Sequence, residues 1–338
     1  MSNLSPTKPT GKVSASSICT ADPLSVPATT PLFLKSAHLV RPPMNNLIDT
    51  IDMEILMHRD AHFGSSFDVM LEYYEHEGVG VMPDFEIEEI KKLKELEHQG
   101  GENLSEVYLP EEAKEGIEKA QKLYQDLREV YAEEKTPKES LLLSDLILSE
   151  EEVPEKEIAA IVTQGKSMVP ALIDLLTSST FYDPLYPGYG RSPIFAARCL
   201  AKIRDERAIP PLFEALGQDN FFTDEEVIHA LASFGEKAKA FLIQRLKQEP
   251  FSKDNEYAAI ALTGFTEDEE IGKGALEVLE NEKTLKKPLF ATYLIFACTD
   301  LTEEAERERF IAIAKKKGPS KTLLDEMLIV IKNWKKSP

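Results

Sequence analysis

AARCLAKIRDERAIPPLFEAL, residues 196–216, decides the fold. Ala197, Leu200 and Ile203 recur at the three-residue spacing of one helical face. The polar run Arg204-Asp205-Glu206-Arg207 then breaks the pattern, and an apolar stretch from Ile209 to Leu216 resumes it as a second helix. The unit recurs. Leu200, Leu231 and Leu262 stand 31 residues apart, as do Ile203, Phe234 and Phe265, and Ala197, Ile228 and Ala259. Small residues (Ala196-Ala197, Ala230 and Ala232, Ala258-Ala259 and Ala261) let neighbouring helices approach closely. Phe296, 31 beyond Phe265, extends the period into a degenerate unit ending near Ile313. Upstream, Ile158–Val162 and Met168–Leu176 form an earlier pair, and Leu323–Trp334 reads as a terminal helix. Helix pairs at a fixed period predict an all-α fold, an α-solenoid in which each unit buries its apolar face against its neighbours.

The same residues carry a family resemblance. Ala-x-x-x-Leu-x-x-Ile, an Asp in the turn and Ala-x-Pro-x-Leu opening the second helix are similar to the short HEAT-like repeat of the phycobilin-lyase type. Pro210 and Pro211 suit that opening, where the first helical N–H groups have no partner to lose. The unit Ile228–Leu246 departs from the pattern with Gly235 in its turn and no proline after it, and Ala258–Leu279 departs further. The resemblance covers about 158–315 and implies a curved scaffold that binds proteins. Enzymes built on such repeats fit poorly: deoxyhypusine hydroxylases need several His-Glu pairs, whereas the chain has only His76-Glu77, and HEAT-like DNA glycosylases need a basic groove. A bilin lyase stays open through the fold alone.

The chain's 338 residues carry a formal charge of −20, distributed unevenly. Residues 1–43 are +3 and hold seven prolines and twelve Ser/Thr without apolar periodicity, which predicts a disordered tail. Its candidate roles are a flexible tail, a start codon placed too early, a docking segment or an export signal. Residues 44–157 carry −20, and 158–338 only −3. Such a charge argues against nucleic acid or an anionic membrane as main partner. No run of 18 apolar residues predicts a membrane span. Cys19, Cys199 and Cys298 lack metal or disulfide spacing and suit a reducing, cytoplasmic setting, with a secreted effector as alternative.

Between 44 and 157 the pattern is helical throughout. Predicted helices carry Ile48, Ile51, Ile55 and Leu56; Phe67, Met70, Leu71 and Tyr74 after Ser65-Ser66; Ile87, Ile90 and Leu93 from Asp84 to Gly100-Gly101; Ile117, Ala120, Tyr124, Leu127 and Tyr131 from Pro110; and Leu141–Leu148. Within the first, His58-Arg59-Asp60-Ala61-His62 places two histidines on one face. Asp68, Glu72 or His76 could complete a metal or acid–base site with them. Arg59 stands where a zincin needs Glu, and Ser65 where a kinase catalytic loop needs Asn. A helix end closed by Gly64 is the plainer reading.

The connection from Thr177 to Ser192 is long for a solenoid and rich in aromatics and proline. Phe181, Tyr182, Asp183, Tyr186, Tyr189 and Arg191 are the candidate contacts for a protein partner; the alternative is that these rings cover neighbouring helices. The sequence therefore predicts a non-catalytic interaction scaffold, with no cofactor and no catalytic residue assigned. Its alternatives are an enzyme centred on His58 and His62, and an effector or chaperone acting through the tail.

Overall fold

The computed structural model describes residues 48–76, 84–133, 135–218, 221–266, 268–316 and 318–335. Among them are seventeen α-helices and no strand. The expected N-terminal tail lies outside the described residues. The chain divides into two compact units, one running through Ser192 and the other from Pro193. The boundary expected at 157/158 falls within the first unit, inside helix α7 (Glu155–Gln164), which follows α6 (Lys138–Ile147).

The first unit begins with α1 (Thr50–His62), started by a reciprocal cap: the Asp52 amide donates to the Asp49 carboxylate and the Asp49 amide to that of Asp52, both at 3.0 Å. There follow α2 (Phe67–His76), α3 (Ile87–Gly100), the short α4 (Leu104–Tyr108) and the long α5 (Glu111–Glu129). α1 packs on α3, α4 and α5, and α2 on α3. The periodic residues Ile55, Leu56, Phe67, Met70, Ile90, Leu93, Ile117 and Ala120 fill one core. Leu185, from the long connection far along the chain, belongs to the same core. Tyr131 departs from the expected stripe: it lies beyond the end of α5, 48% exposed, its hydroxyl donating to Asp145 at 2.6 Å. α6, α7 and α8 (Val169–Thr177) complete the unit.

The second unit is the helix-pair array. Its first helices are α9 (Ser192–Ile203), α11 (Phe221–Ser233), α13 (Lys253–Leu262), α15 (Pro288–Ala297) and α17 (Lys321–Trp334). Its second helices are α10 (Ile209–Glu214), α12 (Glu236–Lys247), α14 (Glu269–Leu279) and α16 (Glu304–Lys315). α11, α13, α15 and α17 stack in sequence, and α12, α14 and α16 form the second layer. Leu200, Leu231 and Leu262 are all buried. Beyond them the buried positions are Leu294 and Met327, so the spacing widens past 31 where the connections lengthen. Phe296, expected inside by the strict period, is 46% exposed.

Charged residues knit successive units together. Arg198 pairs with Glu226, Lys237 with Glu206 at 3.5 Å, Lys239 with Asp268 at 2.9 Å, Lys247 with Glu277 at 2.6 Å, Lys273 with Glu303 at 2.9 Å and Arg309 with Glu280 at 2.8 Å. Each bond spans about one repeat, so the near-neutral balance of the array reflects opposite charges drawn into contact. Gly217 follows α10 at φ +77°, where an added Cβ would lie 2.2 Å from the Tyr257 hydroxyl. Only glycine fits.

Candidate functional site

The two features singled out in the sequence, the His58–His62 segment and the aromatic connection, meet in the first unit. His62 lies in the last turn of α1. Its Nδ1 is 2.8 Å from the Tyr124 hydroxyl of α5, and its Nε2 is 3.2 Å from the Pro184 carbonyl of the connection. A carbonyl can only accept, so Nε2 carries the proton of the neutral ring and Nδ1 accepts from Tyr124. The Tyr189 ring packs against that of His62. Pro184 and Tyr189 belong to the same connection, so the two bonds of His62 tie α1 to α5 and to that connection. Burial lowers the His62 pKa to about 4, opposed by the Pro184 bond, and raises that of Tyr124 to about 12. Both groups are neutral over the physiological range.

His58 sits one turn earlier, buried, its ring 5.1 Å from that of His62 and 5.3 Å from Phe85. Burial, reinforced by His62, lowers its pKa to about 3, and its Nδ1 has no hydrogen-bond partner. Arg59 is fully buried and anchors the helix: its guanidinium donates to Asp60 and Glu97, each at 2.7 Å, to Asn103 at 3.0 Å and to Ser105 at 2.9 Å, over the Phe67 ring. The His-Arg-Asp segment thus ties α1 to α3 and α4. The proposed ligand companions lie elsewhere: Asp68 is exposed and paired with Lys94, Glu72 is exposed, and the exposed His76 bonds the Glu72 carbonyl. Among the described residues the one carboxylate group close enough to hold a cation is Glu269, Glu303 and Glu306, and the Lys273 ammonium lies within 3.7 Å of all three.

The connection is built tightly. Phe181 and Tyr189 are buried, Tyr182, Tyr186 and Arg191 are partly covered, and Asp183 is exposed. The Tyr182 hydroxyl donates to the Leu176 carbonyl at 2.8 Å, and Arg191 donates to the carbonyls of Ser149 and Glu151 at 3.3 and 3.2 Å. Asp183 accepts from the Leu185 amide at 2.9 Å; partial burial of its carboxyl raises its pKa against that bond. Gly188, Tyr189 and Gly190 have φ of +89°, +53° and +74°. A Cβ at Gly188 would meet Ser192 Oγ at 2.2 Å, and one at Gly190 the Tyr182 carbonyl at 2.9 Å. Tyr189 takes this strained backbone with its ring 4.6 Å from that of His62. The Gly-Tyr-Gly triplet was the signal in the sequence that the middle ring turns inward. Beside it, Tyr124, Arg128, Ile147, Leu148, Glu150, Gly188 and Tyr189 line a cavity of about 120 Å³, room for roughly four waters.

Residues 192–263 match the family model of HEAT repeats. The chain carries a HEAT-like repeat array. The match is to HEAT repeats as such and does not single out the phycobilin-lyase type. A comparison with curated proteins finds no match. The matched segment takes in α9 through α13, and the same helix stacking continues beyond it to α17. Among the described residues no single helix is long and apolar enough to cross a membrane.

Proposed function

We propose that the protein is a non-catalytic scaffold that binds another protein. The carrying observation is the HEAT-like array, an architecture that commonly mediates protein interactions. The His58–His62 segment supports the same reading, because its two histidines are neutral and the hydrogen bonds of His62 are spent on holding α1, α5 and the connection together. The connection contributes to binding through Asp183 and the exposed edges of Tyr182, Tyr186 and Arg191, with Phe181 and Tyr189 holding it from below. Cys199 and Cys298 are free, buried thiols, the former pushed up to about 12 by burial, and this chemistry suits a reducing, cytoplasmic compartment.

Affinity capture of the whole chain from its native cells at physiological salt tests the reading. A protein recovered in stoichiometric amount is the expected result. Recovery of the chain alone, at native abundance, refutes it.

A further inference from the structure

Within the array, the connections into the second helices lie at one edge and those leading out of them at the other. The two edges differ in charge over the last repeats. The first carries Asp268, Glu269, Glu270, Asp300, Glu303 and Glu306. The second carries Lys283, Lys286 and Lys287 between α14 and α15, then Lys315, Lys316 and Lys321 around the end of α16. These two basic connections adjoin: a Cβ on Gly318 would lie 3.7 Å from Leu285, and Lys316 acts electrostatically on Glu280.

The cations clustered at this edge differ in state from those of the ion-pair ladder. Elsewhere in the array Lys237, Lys239, Lys247, Lys273 and Arg309 are each consumed by a carboxylate one repeat away. Lys283, Lys286, Lys315, Lys316 and Lys321 are exposed, and no ion pair forms to any of them among the described residues. Of the nearby carboxylates, Glu280 is held by Arg309 and Glu249 by the Asn281 amide, while the exposed Glu282 leaves the two connections with a surplus of lysines. Beside them, Glu249, Pro250, Phe251, Lys283 and Lys287 line an open pocket of about 490 Å³. The Lys287 ammonium donates to the Phe251 carbonyl at 3.1 Å, and the Phe251 ring rests edge-on against Phe290, so the apolar wall is fixed in place.

We infer that this edge docks a short acidic polypeptide segment, with an aromatic or aliphatic side chain seated against Pro250 and Phe251. The inference rests on the scaffold reading and names the chemistry of the partner. Extended polyanions fit less well. A nucleic acid or an anionic bilayer carries its charge well past the basic edge, toward the acidic connections of the same array at residues 268–270 and 300–306, and repulsion acts over about 8–10 Å at ordinary salt. A short acidic segment can end where the lysines end.

The test is fluorescence anisotropy of the full chain with a labelled, glutamate-rich peptide about twelve residues long that carries one phenylalanine. Binding should weaken steeply between about 50 and 300 mM salt. The triple reversal Lys283→Glu, Lys286→Glu and Lys316→Glu should weaken it by at least about tenfold. Lys156→Glu, Lys202→Glu and Lys332→Glu, equal in charge but placed elsewhere, should leave it within about twofold. Phe251→Ala should weaken this probe and spare one that lacks the phenylalanine. Equal losses in both triple variants, absence of binding, or tighter binding of an oligonucleotide of equal charge would overturn the inference. A partner still captured from cells by the Lys283/Lys286/Lys316 variant would overturn it too, while leaving the scaffold reading intact.

Discussion

Acidification should destabilise the first unit by an amount set by two histidines. In the unfolded chain His58 and His62 titrate near 6.5; in the folded chain burial holds them down to about 3 and about 4. The unfolded state therefore binds more protons as pH falls below 6.5, and stability complete above that value drains away until the folded rings protonate. At pH 5 the difference is about 2 kcal/mol for each ring, so about 4 kcal/mol in all relative to pH 7.5. Urea titrations at the two pH values measure it. Eight of the ten tyrosines lie in the first unit and Trp334 in the second, so near-ultraviolet dichroism of tyrosine and tryptophan fluorescence follow the two units separately. His62→Gln keeps a donor for Pro184 and an acceptor for Tyr124, and should remove about 2 kcal/mol of the acid loss. His58→Leu should remove a similar amount and cost little at pH 7.5, because it also deletes the unpartnered Nδ1. Carboxylate titration is common to all three proteins and cancels in the difference. An unchanged pH dependence in both variants would refute the burial of neutral histidines on which the site description depends.

Other predictions concern stability and linkage. Tyr124→Phe removes the hydroxyl that donates to His62 and should cost about 1–2 kcal/mol, whereas Tyr189→Ala empties a packed position and should cost about 3–5 kcal/mol, both read from urea midpoints of the tyrosine signal. Arg59→Met strands Asp60 and Glu97 without their cation and should destabilise the same unit by about 3–5 kcal/mol. In the array, Lys239→Met leaves Glu236, Asp268 and Glu270 facing one another, all within 3.0 Å of the ammonium it removes. It should destabilise the array by about 3 kcal/mol, read from the urea transition reported by Trp334.

The array was legible in the sequence because each unit meets the same surroundings, so the buried leucines recur at one spacing until the connections lengthen. That lengthening is why Phe296 misled and Leu294 went unnoticed: a period counts residues, whereas packing counts turns. α4 was missed because a five-residue helix is too short to show periodicity. The aromatic connection was visible as a feature, but its surroundings were not, since His62 and Tyr124 lie far away along the chain and no local pattern announces a hydrogen bond across such distances. The ion-pair ladder leaves a fainter trace, opposite charges about one period apart, which net charge conceals.

The most direct test of the scaffold account is cross-linking mass spectrometry of the full chain captured from native cells. The account predicts that one other protein is joined to the array, with its cross-links gathered on Lys283, Lys286, Lys315, Lys316 and Lys321. A chain that carries no intermolecular cross-link to any protein at native abundance would contradict it.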